Sequence, residues 1–404
     1  PALTTHIDRC LGCRACETAC PAGVEYGHLL ERARAAARAA AGRRAPGAGL
    51  AARALLGVFR RPATTRLALA AARALRATGL PATLATRLPD RFARARLALA
   101  MLAATAPDRL ARAARSGGPA AGPTPVGHTT GPGPAPRPAP DAPRRAALLR
   151  GCVQDGLFRH VNRATARVLE RNGVALAAAP GQRCCGALHA HAGDLEAARA
   201  LARANIEAFE RADADVVVVN AAGCGAAMKE YGELLADDPA YADRARALAA
   251  RVRDACELLD ALGPAPGAPL PIRVAYDAPC HLHHAQRITA APLRMLAAVP
   301  GLEASPLPGA DECCGGAGIY GLLHPELGGR ILSSKVEAIR AAGPDAVVTP
   351  NPGCILQIGA GLRLAGLAVP VLHPIELLAE SYRRLEPSRP AATPGHRPED
   401  THAR

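Results

Sequence analysis

Four cysteines near the amino terminus stand at intervals that suit the binding of a metal cluster. Cys10, Cys13 and Cys16 are three residues apart, Cys20 follows four residues later, and Pro21 comes directly after it. Along a tight loop the first three thiolates can bind three irons of one cubane cluster, and the proline then turns the chain. The run therefore predicts one-electron redox chemistry.

The same spacing is the bacterial ferredoxin motif, in which the fourth cysteine binds a second cluster and runs come in pairs. A zinc knuckle or disulfides are the alternatives, but zinc sites usually use two separated cysteine pairs. This sequence has one run and begins at Pro1. We therefore expect that a preceding run is missing and that Cys20 belonged to its cluster. In a complete chain, Cys20 would be the fourth ligand of a single [4Fe–4S] cluster.

A second set of cysteines recurs in two halves of the remaining chain. Each half has one cysteine, then an adjacent pair followed by glycine, then a last cysteine. The matching positions are offset by 128 to 130 residues, which indicates an internal repeat. The repeat pairs Cys152 with Cys280, Cys184 and Cys185 with Cys313 and Cys314, and Cys224 with Cys354.

Four thiolates that recur in the same order predict a metal centre in each half. Adjacent cysteines rarely bond to each other, but both can bind different metals of one cluster, and Gly186 and Gly315 permit a turn with positive φ. Two alternatives stay open: buried free thiols, and a zinc ion in one half, since four thiolates also suit tetrahedral zinc. Cys256 lies outside motif and repeat, and we expect it to be a small buried hydrophobic residue.

Alternating strands and helices are predicted around these cysteines. An apolar run ends at the first cysteine of each half, and a buried strand leads into the last. The predicted strands are 147–151, 215–220, 272–276 and 345–349, and the predicted helices are 164–171, 194–211, 292–299 and 325–342. This alternation favours α/β domains with parallel sheets, whose ligands gather beyond the carboxyl ends of the strands.

The whole chain is thus predicted to combine an α segment with two repeated α/β domains. We assign a ferredoxin-type segment to 1–30, an Arg-rich helical region to 31–115, a Pro- and Gly-rich linker to 116–145, the first repeat to 146–265, the second repeat to 270–385, and a disordered tail to 386–404. The helical region should break at Pro62, at 79–81 and at Pro107. Its apolar positions include Leu55, Leu56, Phe59, Leu67, Leu75, Phe92, Leu99 and Leu102.

The formal net charge of +14 is concentrated in the helical region, which contains 18 arginines and three acidic residues. Nucleic-acid binding is disfavoured, because no aromatic residues interleave with the arginines and no recognition motif is present. A basic face toward an acidic subunit or anionic lipid headgroups fits better. A solvated Arg-rich surface is the alternative.

Several other classes of protein are also disfavoured. No apolar run reaches the length of a membrane span, and no dinucleotide fingerprint follows a strand, so nothing here is suited to accept a hydride. No signal peptide is evident, and thiolates that bind iron must stay reduced, which favours the cytoplasm.

The motifs around the cysteines are similar to a known family. They resemble the cysteine-rich CCG domains of heterodisulfide-reductase-like iron–sulfur proteins, and among them the iron–sulfur subunits of bacterial glycolate oxidase (glycolate dehydrogenase). Each half has four thiolates where the heterodisulfide reductase relatives have five. The motifs are CETACPAGVEYGHL at 16–29, GCVQ at 151–154, CCGA at 184–187, AGCG at 222–225, KEYG at 229–232, PCHLHHAQ at 279–286, CCGGAGIY at 313–320 and NPGC at 351–354.

The resemblance implies an electron-transfer subunit that does not oxidise substrate by itself. Its partner would be a flavin-containing glycolate oxidase subunit that oxidises glycolate to glyoxylate, and its acceptor a quinone, with the subunit in the cytoplasm or peripheral on the inner face of the membrane. [4Fe–4S] clusters would be bound by the ferredoxin run and by each CCG domain. Related subunits serve lactate or glycerol 3-phosphate dehydrogenases, and a catalytic heterodisulfide-reductase-like role is a further alternative. Three polar residues follow Cys280, namely His281, His284 and Gln286. They would donate hydrogen bonds to sulfur, stand near the electron acceptor, or simply satisfy the backbone polar groups at the strand end.

Overall fold

Two parallel four-stranded sheets organise the carboxyl-terminal part of the protein, in a computed structural model that describes residues 2–41, 50–107, 109–110 and 143–386. The first sheet has the strand order β2-β1-β3-β4 and the second has the order β6-β5-β7-β8, so the predicted repeat is also a repeat of topology. The strands are β1 Arg145–Leu148, β2 Ala175–Ala177, β3 Val216–Val219, β4 Val252–Asp254, β5 Arg273–Tyr276, β6 Glu303–Pro306, β7 Ala346–Val348 and β8 Val371–Leu372.

The central strands are short apolar runs because both of their faces are covered. β1 pairs with β2 and β3, with Ala146 opposite Leu176 and Val216. β5 pairs in the same way with β6 and β7, with Val274 opposite Ala304 and Ala346. β-branched valines suit such a pleated, buried position. These strands confirm the predicted α/β class and its parallel sheets.

Helices cover the sheets and connect the strands. In the first half they are α8 Val153–Leu157, α9 Arg159–Arg171, α10 Ala187–His191, α11 Leu195–Glu210, α12 Ala222–Lys229, α13 Tyr231–Leu234, α14 Ala242–Arg251 and α15 Ala255–Leu262. In the second half they are α16 Ala291–Ala297, α17 Tyr320–Leu323, α18 Pro325–Ala342, α19 Pro352–Leu364 and α20 Pro374–Arg383, with a π-helical turn at His281–Ala285.

One apolar core joins the two halves. It contains β1 and β3 residues of the first sheet together with β5 and β7 residues of the second, such as Ala146, Val218, Val274 and Val348, all 2% exposed or less. Hydrogen bonds also cross between the halves, including Ala222 N–H to the Pro350 carbonyl at 3.1 Å. The carboxyl ends of β3 and β7 therefore meet.

The amino-terminal helices lie against both halves. They are α1 Ala2–Arg9, α2 Ala15–Ala19, α3 Tyr26–Ala41, α4 Leu50–Arg60, α5 Pro62–Ala77, α6 Leu80–Arg87 and α7 Ala93–Ala103, with a 3₁₀ turn at Asp90–Phe92. Leu97 and Ala100 of α7 share a buried core with Ile355 and Ile358 of α19. Among the helices that the structure describes, none is long and apolar enough to cross a membrane.

The helical region differs from its sequence prediction in which apolar residues are buried. The predicted breaks near Pro62 and 79–81 are present, and a further break falls at Pro89. Leu56 and Phe59 are buried, but Leu67, Leu75 and Phe92 are 74%, 43% and 45% exposed. Amphipathic periodicity cannot show that α5 packs against the rest of the molecule along only one narrow stripe.

The short strands β2, β4, β6 and β8 were missed by the sequence prediction. They have two to four residues, which is too short to show a strand period, and β6 is largely exposed at a sheet edge. Of the predicted linker, residues 116–142 lie outside the described residues, and Arg145 already belongs to β1. The predicted tail lies outside them from residue 387 onward.

Candidate metal centres

The ferredoxin-type run forms a loop between α1 and α3. Cys10 directly follows α1, Cys16 lies in α2, and Cys20 directly follows α2. Gly12 takes φ +68°, which places its N–H 3.4 Å from the Cys10 sulfur. Backbone N–H groups of Val24, Ala22 and Gly23 lower the pKa of the Cys20 thiol. Such N–H donors favour the thiolate, which is the form that binds metals.

Contacts to both halves hold this loop in place. The Arg34 guanidinium donates to the carbonyls of Cys10 at 2.6 Å and Ile7 at 3.1 Å, and also to that of His191 in the first half at 2.7 Å. The Tyr320 hydroxyl of the second half donates to the Arg9 carbonyl at 2.7 Å. The loop is therefore tied at its base to both α/β units.

A buried ion pair fixes the inner turn of the loop. Arg14 has φ +65° and donates to Glu17 at 2.9 Å, and both side chains are buried. Arg14 also pairs with Glu230 of the first half, and Glu17 accepts from the Gly27 N–H at 2.6 Å. A positive φ in a residue other than glycine is costly, and these bonds offset that cost.

The four thiols of the first half are in contact with one another at the carboxyl end of the sheet. Cys152 follows β1, Cys224 lies in α12 after β3, and Cys184 and Cys185 precede α10. The sulfurs of Cys152 and Cys184 are 3.4 Å apart. Thiol bonds from Cys152 and Cys185 lower the pKa of Cys184 well below its usual value. Bonds to Cys184 and Cys224, together with burial, raise the pKa of Cys185.

The second half repeats this arrangement. The Cys280 and Cys314 thiols donate to Cys313 and lower its pKa well below the usual value, and Cys314 also contacts Cys354. The Asn351 amide donates to the Cys354 sulfur at 3.2 Å. In both halves the first cysteine of the pair is thus the thiol most easily ionised.

The glycine after each cysteine pair has the positive φ that the sequence suggested. Gly186 has φ +91° and Gly315 has φ +82°, and the N–H of each donates to the first cysteine of its pair. A Cβ at Gly315 would lie 2.4 Å from the Gly328 carbonyl oxygen. Only glycine fits that position without a shift of the backbone.

The loop lies close to the thiols of the second half. Cys13 is near enough to Cys313 and Cys280 for the charges to interact, whereas the first-half thiols interact electrostatically with one another and with His189. Thr18 in α2 also contacts the His284 ring at 2.8 Å. The described structure thus brings the twelve predicted cysteines into three groups. The group in the ferredoxin-type loop and the group in the second half are adjacent.

The polar residues after Cys280 have separate positions. The His281 ring is 3.5 Å from the Cys280 sulfur, and burial lowers its pKa to about 3, so this imidazole is neutral. His284 contacts Thr18 and the Asp311 carbonyl, and Gln286 donates to the Ala222 carbonyl of the first half. Of the three, His281 contacts a sulfur, and the other two join elements of the fold.

Sequence reasoning missed the residues that surround the thiols. Asn205 and Tyr231 donate to the carbonyls of Cys184 and Cys185 at 3.0 and 2.8 Å. In the second half Lys335 forms a buried ion pair with Asp277 at 2.9 Å. A lone lysine in a helix gives no sign of burial, although the scarcity of lysine in this chain was a signal that could have been used.

The donor set fits iron–sulfur clusters. Three groups of thiols, partly ionised and supplied with N–H donors from nearby glycines, are the ligands that such clusters take from proteins. Although no three His, Cys, Asp or Glu side chains among the described residues converge on the position of a single metal ion, the thiols of each half contact one another in series. Cys256 is fully buried away from these groups, as expected.

The repeated fold and its thiol groups define a protein with two cysteine-rich CCG domains, and the family model for the CCG cysteine-rich domain matches residues 146–229 and 274–359. The chain is 34% identical over 385 residues to the "Probable glycolate oxidase iron-sulfur subunit" of Bacillus subtilis, covering 93% of this chain and 82% of that one. It is 32% identical to the "Glycolate oxidase iron-sulfur subunit" of Escherichia coli, covering 94% and 83%. The chain belongs to the family of glycolate oxidase iron–sulfur subunits.

A shorter relative matches a smaller part of the chain. "Lactate utilization protein A" of Exiguobacterium is 32% identical over 245 residues, which are 59% of this chain and 98% of that protein. Together these relatives support an electron-transfer role within an oxidoreductase. A crystal structure of a hypothetical protein from Helicobacter pylori has a TM-score of 0.46 at 10% identity, over 73% of this chain and 58% of that one.

Proposed function

We propose that this chain carries electrons from a flavin-containing subunit, which oxidises glycolate to glyoxylate, toward a quinone-type acceptor. The observation that supports this most is the grouping of twelve cysteines into three sets, two of which adjoin each other through Cys13, Cys313 and Cys280. Electron transfer needs such closely spaced redox centres. The glycolate donor is taken from the names of two relatives that match more than nine-tenths of this chain.

The proposed ligands are the cysteines themselves. Cys10, Cys13 and Cys16 would bind one [4Fe–4S] cluster, with Cys20 completing it or serving a second one. In each half the four contacting thiols would bind a further cluster. Bound there, these clusters would supply one-electron redox chemistry, whose potential depends on hydrogen bonds to sulfur and on burial. The residues of this chain provide both, through the glycine N–H groups, the Asn351 amide and His281.

Metal analysis of the anaerobically purified chain tests this assignment. We expect iron and acid-labile sulfide in several clusters, and loss of the loop's signal in Cys13→Ser. Cys256→Ala is the matched control, because that thiol is buried outside the three groups. Stoichiometric zinc in one half would instead support the zinc alternative there. An iron-free chain that still supported its partner's turnover would contradict the proposal.

The donor is tested by adding glycolate, lactate or glycerol 3-phosphate to the chain together with its flavin-containing partner. Bleaching of the cluster absorbance with glycolate is expected. Bleaching with lactate alone would point to the second candidate, which the lactate utilization relatives favour. A quinone analogue should then reoxidise the chain. Turnover of a disulfide by the isolated chain would indicate a heterodisulfide-reductase-like enzyme instead.

A peripheral position on the cytoplasmic face of the membrane is a further part of the proposal. The helical region exposes both arginines and the apolar side chains of Leu67, Leu75 and Phe92. Such a mixed surface suits anionic headgroups. We expect the chain to co-sediment with anionic vesicles at low salt and to be released at high salt. Absence of binding at low salt would contradict the peripheral position on the membrane.

A further inference from the structure

A strongly basic cavity lies beside the first-half thiols, on the side formed by the helical region. Its volume is about 140 Å³, and Cys152 and Cys184 are part of its wall. The side chains of Phe59, Leu69 and Leu201 supply an apolar part of the same wall. Six arginines line the cavity, namely Arg60, Arg66, Arg73, Arg150, Arg159 and Arg183.

The arginines of this cavity greatly exceed the carboxylates that could neutralise them. Asp155 is the acidic residue of the wall, and it pairs with Arg150 at 3.0 Å and with Arg159 at 3.6 Å. Within the described part of the chain, Arg60, Arg66 and Arg183 pair with no carboxylate. Like charges gathered around a concave space repel one another, and a bound anion would relieve that repulsion.

The position of the helices makes this cavity a built feature of the fold. α5 packs directly on α8, because Gly156 leaves room for Leu69; a Cβ at Gly156 would lie 2.2 Å from the Leu69 Cδ1. Arg73 of α5 donates to the Gly156 carbonyl at 2.6 Å. The break before Pro62 then places Arg60 and Arg66, from two successive helices, at the same cavity.

We infer that this cavity binds a small oxyanion, a carboxylate or a phosphate, beside Cys152 and Cys184. Guanidinium groups bind both kinds of oxyanion through paired N–H donors. The volume of about 140 Å³ is large enough for a short-chain acid or a free phosphate. The apolar wall would contact the carbon atoms of an organic acid. The ferredoxin-type loop lies beside the second-half thiols, whereas this cavity lies beside the first-half thiols. The cavity is therefore a difference between the two halves.

Calorimetric titration of the metal-loaded full-length chain with glycolate and with inorganic phosphate tests the inference, against sodium chloride at equal ionic strength. We expect saturable binding of at least one of the two, weakened tenfold or more in the double variant Arg60→Ala, Arg66→Ala. Arg94→Ala is the matched control, because Arg94 belongs to the same helical region but does not line the cavity. Which probe binds tells whether the site takes organic acids or phosphate.

A second measurement uses the redox centre next to the cavity. An anion bound beside the first-half thiolates would favour the oxidised centre, so the probe that binds should lower its reduction potential in wild type but not in the double variant. Absence of saturable binding for both probes, or equal weakening in Arg94→Ala, would overturn the inference. Calorimetry does not need the flavin-containing partner, so its outcome is independent of the proposed electron donor.

Discussion

The two halves of this protein share a fold and a thiol arrangement but differ in what surrounds the thiols. In the first half, Leu149 and Ile206 lie in an apolar core, and neutral groups of Asn205 and Tyr231 bond to the cysteine pair's carbonyls. In the second half, the positions matching Leu149 and Asn205 are Asp277 and Lys335, which form a buried ion pair.

The neighbours of the two thiol groups differ as well. The second group adjoins Cys13 of the ferredoxin-type loop, whereas the first group forms a wall of the arginine-lined cavity. Lys335 is among the groups that lower the pKa of Cys313, after the bonds from Cys280 and Cys314. A duplicated unit has thus kept its four cysteines while the residues around them diverged, which would give two similar metal centres different potentials.

The largest expected effect comes from removing one thiol in each half. Cys313→Ser should abolish electron flow between the loop and the second half, because Cys313 adjoins Cys13, as Cys280 does, and is also in contact with Cys280 and Cys314. Cys184→Ser should remove the first-half centre but leave the loop and the second half reducible. Low-temperature EPR of the partly reduced proteins separates the two. Identical spectra for both variants would show that the halves are not distinct.

Removing both charges of the second half's ion pair should reveal the next largest effect. Lys335→Met alone leaves a buried carboxylate unpaired, and we expect it to lower the free energy of unfolding by about 3–5 kcal/mol. The double variant Asp277→Leu, Lys335→Met should recover most of that loss, because both charges are removed together and the first half has Leu149 at the matching position. Urea denaturation followed by circular dichroism measures both. A double variant less stable than Lys335→Met would contradict this account.

The dependence of stability on pH should have opposite signs in the two halves. Burial would raise the pKa of Glu376, but Arg109 and His160 outweigh it and lower that pKa from 4.5 to about 2. The unfolded chain therefore binds more protons between these values, and on the order of 3 kcal/mol of stability is lost as the pH falls from 4.5 to 2. Glu376→Gln should abolish that loss.

In the first half, burial raises the pKa of Asp254 from 3.8 to about 7. The folded chain here binds the extra proton, so stability falls as the pH rises from 4 to 7. Asp254→Asn should remove this fall while its side-chain oxygen still accepts from the Cys256 N–H. Unfolding midpoints measured from pH 2.5 to 8 test both variants, and a change of the same sign in both would be contrary to expectation.

The smallest expected difference concerns the two glycines after the cysteine pairs. Alanine at either position costs about 1–2 kcal/mol for its positive φ. Gly315→Ala should cost more than Gly186→Ala, because its Cβ would meet the Gly328 carbonyl oxygen at 2.4 Å, against 3.3 Å from Ala198 for Gly186. Thermal unfolding of the two variants compares them. Equal losses of stability in the two variants would mean that the backbone near Gly328 can shift at little energetic cost.

Much of this arrangement could be predicted from the sequence, because its signals are local. The strands β3 and β7 are marked by continuous apolar runs, and the repeat is marked by cysteines that recur at nearly constant offset. The contacts between distant segments could not be predicted in this way. Nothing in the sequence around Arg34 shows that its guanidinium reaches Cys10 and His191, and nothing near Pro62 shows that α4 and α5 would line a cavity.

The contacts of Arg34 and Tyr320 also determine how the ferredoxin-type loop lies against the rest of the protein. Both side chains donate to backbone carbonyls and use no cysteine thiol. The position of the loop and the identity of its four thiols are therefore controlled by different residues.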